Sequence, residues 1–166
     1  LLLREGVLCP TGRVVNVTGD VAIMSKDCTP VWNAKNIPGF RAGQTSYERS
    51  KVGMMWLHKE LTRRFPDLSA VIVHPGVIAS SLGVSSKGFA MYLKRCMLLS
   101  TWDGAQTTIR AAVDETIPSG AYVHNVYGHI TGFPEGDIMR NETRPRELWE
   151  WCEDFAKTVL PQQFNE

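Results

Sequence analysis

Cysteine is sparse and dispersed in this sequence. Its four thiols, Cys9, Cys28, Cys96 and Cys152, form no Cys-x-x-Cys pair and no Cys/His cluster with zinc spacing. That argues against zinc-ribbon and thioredoxin-type sites and fits reduced thiols in a cytoplasmic setting. Charge of one sign is lacking too. A net charge of +1 gives no electrostatic footing on nucleic acid or an anionic membrane. No apolar run reaches the ~20 residues of a membrane-spanning helix, and Leu1-Leu2-Leu3 is too short for a signal peptide. Internal repeats and low-complexity segments are absent. The Gly-x-Ser-x-Gly elbow of hydrolases does not surround Ser80-Ser81. No Gly-x-x-x-Gly-x-Gly turn precedes a helix, so no phosphate-binding helix N-terminus can be assigned.

What is present is one domain's worth of chain, 166 residues, with a regular alternation of patterns. Arg13-Val14-Val15-Asn16-Val17-Thr18 reads as a buried strand closed by Gly19-Asp20. Residues 20–46 hold Pro30, Pro38 and a glycine-containing turn, a length that argues for a functional or partly ordered segment rather than a structureless loop. Thr45 or Ser46 is expected to cap a helix from Tyr47 to Phe65, stopped by Pro66. Ser69-Ala70-Val71-Ile72-Val73-His74 is a second strand, and Pro75-Gly76 closes it. Residues 85–99 are mixed apolar and basic. Ser100 or Thr101 caps a helix reaching about Glu115, a third strand covers residues 121–125, and a last amphipathic helix runs from Glu147 to Val159. Strands alternating with helices predict a parallel α/β sheet. Three parallel strands leave two edges, and the chain opens on Leu rather than Met. The expectation is therefore the later part of a longer domain.

Tyr47 and Lys51 are the most informative pair. Four residues apart on a helix, they share one face. A phenol ionises near pH ~10, and an adjacent ammonium favours the phenolate. A tyrosine tuned this way can exchange a proton with a substrate oxygen. The spacing alone is common, but its surroundings are ordered. The strand ending Val15-Asn16-Val17-Thr18-Gly19 precedes it. His74-Pro75-Gly76-Val77, then Trp102-Asp103-Gly104-Ala105-Gln106-Thr107 and Leu148-Trp149 follow.

In that order these motifs resemble the C-terminal half of a short-chain dehydrogenase/reductase, most like its retinol-dehydrogenase-like branch. The resemblance implies a Rossmann-type α/β fold and an NAD- or NADP-dependent interconversion of a carbonyl and an alcohol, on a lipophilic small molecule. It makes Tyr47 the acid/base and Lys51 its partner, which also bonds the nicotinamide ribose. Pro75, Gly76 and Val77 become a wall beside the nicotinamide, and Ser80 a cofactor contact. Residues 85–99 become a substrate-binding segment. A homodimer through the Tyr47–Lys51 helix is implied as well.

One departure concerns catalysis. The family's substrate-orienting serine is replaced by Gly19. Thr18 carries a hydroxyl one position early, and Ser25 or Thr45 is an alternative donor. The family's glycine-rich turn and catalytic asparagine lie upstream of the matched region. A non-catalytic relative that keeps the fold is the rival reading. No metal site is expected: His74 reads as a structural strand-end histidine, and His124 and His129 lack a third ligand.

Overall fold

The computed structural model describes residues 12–24, 42–79, 98–124, 130–131 and 137–159. Three strands, β1 (Arg13–Val17), β2 (Ser69–His74) and β3 (Tyr122–His124), form a parallel sheet, and β4 (Ile130–Thr131) pairs antiparallel with β3. Between and after them lie helices α1 (Val21–Met24), α2 (Ala42–Arg64), α3 (Thr101–Val113), α4 (Asp137–Arg140) and α5 (Thr143–Val159). Helices connect the parallel strands and cover the sheet, as the Rossmann-type α/β reading expects.

The strands alternate with period two, and this sorts two cores. Ile72 and Tyr122 face α2 and pack with Val52, Met55, Trp56, Ile138, Met139 and Leu148. Val71, Val73 and Val123 face the other way and pack with Ala111 of α3 and Ile117. Trp56 is fully buried, and its indole N–H donates to the Ile138 carbonyl at 3.1 Å, which ties α2 to α4.

Three expectations are corrected. Helix α2 begins at Ala42, so Thr45 and Ser46 lie inside it rather than at its start. No proline intervenes between Ala42 and Tyr47, and Gly43 is tolerated in the first turn. Strand β4 extends the sheet beyond the three strands read from the sequence, because two residues carry too little pattern to detect. Helix α5 begins at Thr143, four residues ahead of the expected Glu147. Arg63 and Arg64 hold the buried Glu60 carboxylate, at 2.7 and 3.0 Å.

Elsewhere the boundaries agree closely. Pro66 follows the end of α2, and Ser100 is the N-cap of α3, accepting from the Asp103 N–H at 3.1 Å. Cys9, Cys28, Cys96, Ser80, Ser25 and most of residues 85–99 lie outside the described residues. Among the described residues no helix is long and apolar enough to cross a membrane.

Candidate active site

The C-terminal ends of the parallel strands are where an open α/β sheet gathers its ligands. Here those ends carry Thr18-Gly19-Asp20 after β1, His74-Pro75-Gly76 at the end of β2 and His124 at the end of β3. The same alternation that sorts the cores puts Asn16, Thr18, His74, Tyr122 and His124 on the α2 side. Asn16 Nδ2 lies 3.0 Å from His58 Nδ1 on α2. Burial lowers the His58 imidazole to about 4, so it is neutral at physiological pH.

Tyr47 and Lys51 sit one turn apart on α2, with the Lys51 ammonium 5.5 Å from the centre of the Tyr47 ring. Tyr47 is 40% exposed, which leaves its face open to a ligand. Its hydroxyl looks toward Gly19: a Cβ placed on Gly19 would stand 3.8 Å from Tyr47 Oη and 3.9 Å from His74 Nδ1. Space for one small side-chain atom, a hollow with Val21 Cγ2 as its third neighbour at 3.8 Å, therefore lies beside the phenol. Thr18 turns elsewhere. It is buried, and its hydroxyl donates to the Lys51 carbonyl at 3.2 Å, pinning the strand end to the helix that holds the pair.

Next to the hollow is a cluster that sequence reasoning missed. His74 and His124 are direct register partners on adjacent strands, their ring centres 4.6 Å apart and edge to face. Asp20 reaches both. Its Oδ2 is 2.8 Å from His124 Nε2 and 3.3 Å from His74 Nε2, while Oδ1 accepts from the Tyr122 hydroxyl at 2.8 Å. Burial pushes the Asp20 carboxyl up. Hydrogen bonds from His124 and Tyr122, with the charge of His74, outweigh it and hold the group below its usual range. Burial lowers His74, partly opposed by Asp20. Burial and then the Asp20 hydrogen bond raise the Tyr122 phenol. The signal for the cluster was two strands each ending in Val-His. Pairing His124 with His129 along the chain hid its partner across the sheet.

Pro75, Gly76 and Val77 leave β2 toward the same end. Gly76 has a φ of 91°, a conformation that favours glycine, and Val77 is largely exposed. The segment is held by a bridge between Ile78 and Leu99 and by the close approach of Gly104 on α3, where a Cβ would overlap the Ile78 side chain. Tyr47 is exposed on α2 one turn before Lys51, and Gly76 carries no side chain just after β2, so these residues leave room for the nicotinamide end of a dinucleotide. Among the described residues no glycine-rich turn at a helix start offers a seat for its pyrophosphate.

No protein-family model matches this chain, and no curated protein matches it. A crystal structure of an uncharacterized protein from Mycobacterium Paratuberculosis superposes with a TM-score of 0.58 at 20% identity, over 87% of this chain and 50% of that one. The crystal structure of NADPH-bound carbonyl reductase from chicken fatty liver superposes with a TM-score of 0.48 at 14% identity, over 78% of this chain and 46% of that one. The chain thus spans about half the length of either structure. At 20% identity the first likeness bears on the fold alone, a parallel α/β sheet of Rossmann type flanked by helices.

Proposed function

We propose that this chain is the substrate and nicotinamide end of an NAD(P)-dependent oxidoreductase that interconverts a carbonyl and an alcohol. The observation that carries the reading is the Tyr47 hydroxyl opening onto the hollow at Gly19, with Lys51 one turn behind it. In alcohol oxidation Tyr47 takes the hydroxyl proton as the carbinol carbon loses hydride. In carbonyl reduction it returns that proton to the oxygen. The bound nicotinamide supplies or accepts the hydride. Lys51, one turn behind the phenol, bonds the ribose. Thr18 is a positioning residue, since it fixes the Lys51 backbone. Pro75, Gly76 and Val77 form the wall, Ser80 adds a cofactor contact, and the apolar side chains of residues 85–99 suit a lipophilic substrate.

A second reading has one observation in its favour. Gly19 offers no hydroxyl where a substrate oxygen would need a donor, and loss of one such donor costs ~10²–10³ in rate. On that reading the chain keeps the fold and binds without turnover. The test is Tyr47→Phe in the full protein, assayed with NAD(P)H and long-chain aldehydes. A fall of ~10²–10⁴ in turnover is expected. Unchanged turnover sinks the acid/base role, and inactivity of both proteins favours the binding reading.

A further inference from the structure

We propose that Asp20, His74 and His124 form a binding site for a divalent transition-metal cation of the zinc class. The site stands on the cluster's geometry and is independent of the oxidoreductase reading. Its three ligand atoms lie within 4.8 Å of one another. Zinc bonds of ~2.0–2.1 Å place neighbouring ligand atoms about 2.9–3.4 Å apart in octahedral or tetrahedral arrangements. The Asp20 Oδ2 separations, 2.8 Å to His124 Nε2 and 3.3 Å to His74 Nε2, lie close to that range, and a small adjustment brings the three atoms, already within 4.8 Å of one another, onto one ion. Two imidazoles and a carboxylate are the donor set of zinc and its neighbours in the first transition row, not of calcium or magnesium.

A proton accounts for only half of the cluster. Shared between His124 Nε2 and Asp20, it explains their 2.8 Å contact. It does not explain His74. That side chain is 8% exposed, and neither ring nitrogen has a hydrogen-bond partner, although Nε2 points at the Asp20 carboxylate. The Thr18 backbone lies near enough to favour the charged ring, which still leaves Nε2, beside Asp20, without a hydrogen bond among the described residues. A buried polar group left in this way costs ~1–3 kcal/mol and calls for an explanation. One cation between the three side chains satisfies His74 Nε2 and His124 Nε2 together.

The surroundings suit a metal centre. Tyr122 donates to the carboxylate oxygen that faces away from the cluster, the outer-shell contact that orients an acidic ligand. Asp20 is 43% exposed at its side chain, which leaves an entry path and a side open to water or a fourth ligand. Occupancy has a consequence for the neighbouring hollow. A cation on Nε2 fixes the proton of His74 on Nδ1, the nitrogen 3.9 Å from the Gly19 Cβ position. The ion would thereby turn His74 into a donor facing the hollow beside Tyr47.

The test is titration of cobalt(II) and then zinc into the protein near neutral pH. Saturable one-to-one binding is expected, with visible absorption of a low-coordinate nitrogen/oxygen site, bleached when zinc displaces cobalt. Asp20→Asn, His74→Gln and His124→Gln should each weaken binding by more than the ~10–100-fold typical of an outer-shell change, and Tyr122→Phe by about 10-fold. His58→Gln, on α2 and outside the cluster, should leave it unchanged. Asp20 is the most exposed of the three, so Asp20→Asn is the variant that keeps its fold, checked by its thermal melt. Absence of saturable binding overturns the site. So does binding that survives Asp20→Asn, or a sulfur-to-cobalt charge-transfer band that puts the ion on a cysteine.

Discussion

At the N-terminal ends of β1 and β2, Arg13 closes the sheet like a clasp. Its guanidinium donates to Ser69 Oγ at 2.8 Å, to the Ala111 and Asp114 carbonyls at 3.1 and 2.8 Å, and to the Ile117 carbonyl at 2.9 Å. Those carbonyls belong to the end of α3 and the turn after it, groups that a helix terminus leaves without partners. Ser119 adds to the closure, donating to the Leu68 carbonyl and accepting from the Ala70 N–H. At the opposite ends of the same strands, His74 is buried beside a carboxylate with neither nitrogen hydrogen-bonded, a hollow opens at Gly19, and Tyr47 stands exposed. Among the described residues one end is satisfied, and at the other the His74 nitrogens are left without a hydrogen bond. Polar groups satisfied from within the chain hold a fold together, and polar groups left wanting a partner mark where a ligand completes the structure.

Removing the clasp gives the largest effect. Arg13→Ala should cost about 3 kcal/mol in urea unfolding, because several carbonyls lose their donors at once. Cobalt binding to the folded variant should be unchanged. A loss of binding without a loss of stability would show that the two ends are not separable.

Between the ends, His58 supplies a stability difference that varies with pH. Its folded-state value of about 4 lies below the ordinary 6.5, so the folded chain binds its proton less readily than the unfolded chain. Stability is therefore full above pH 6.5 and falls as pH drops toward 4, by about 3 kcal/mol across that window. His58→Gln should flatten that part of the pH–stability curve relative to the parent. An equal slope in both proteins would show that His58 is not the buried neutral group described here.

The incomplete end can be loosened from behind. Gly104→Ala would press a methyl into the Ile78 side chain and bring it to 3.4 Å from the Pro75 carbonyl. Overpacking of this kind typically costs ~1–3 kcal/mol. The strain falls on the Pro75–Ile78 segment, so on the proposed function nucleotide affinity of the full protein should weaken along with the melting temperature. A variant that melts lower but binds nucleotide normally would separate that segment from the site.

Much of this was legible in the sequence, and the residues show why. Val71-Ile72-Val73 is apolar on both faces and fully buried, as a strand covered by helices on each side must be. The capping serine of α3 and the proline after α2 fixed boundaries that local chemistry decides. The Asp20–His74–His124 cluster was not legible. Its members come from three strand ends, Asp20 and His124 being 104 positions apart, and only the parallel register that sets His74 against His124 brings them together. Composition gave no hint either, because a lone strand-end histidine is ordinary. The start of α2 was misread for a similar reason. Thr45 and Ser46 are good caps, but a helix supported by packing runs past a local stop signal.

The smallest change tests whether the hollow is a place for chemistry. Gly19 does not adopt a left-handed backbone, and a Cβ there meets only ordinary contacts, so Gly19→Ser should fold. Its hydroxyl would enter the space between Tyr47 Oη and His74 Nδ1. If that space receives a substrate oxygen, the added donor should raise carbonyl reduction about 10-fold, a fraction of what a native donor of this kind contributes. The variant should also melt slightly higher, because His74 gains a partner. A higher melt with no gain in turnover would leave the hydroxyl structural. The incomplete end would then owe its emptiness to the cluster beside the hollow rather than to the phenol above it.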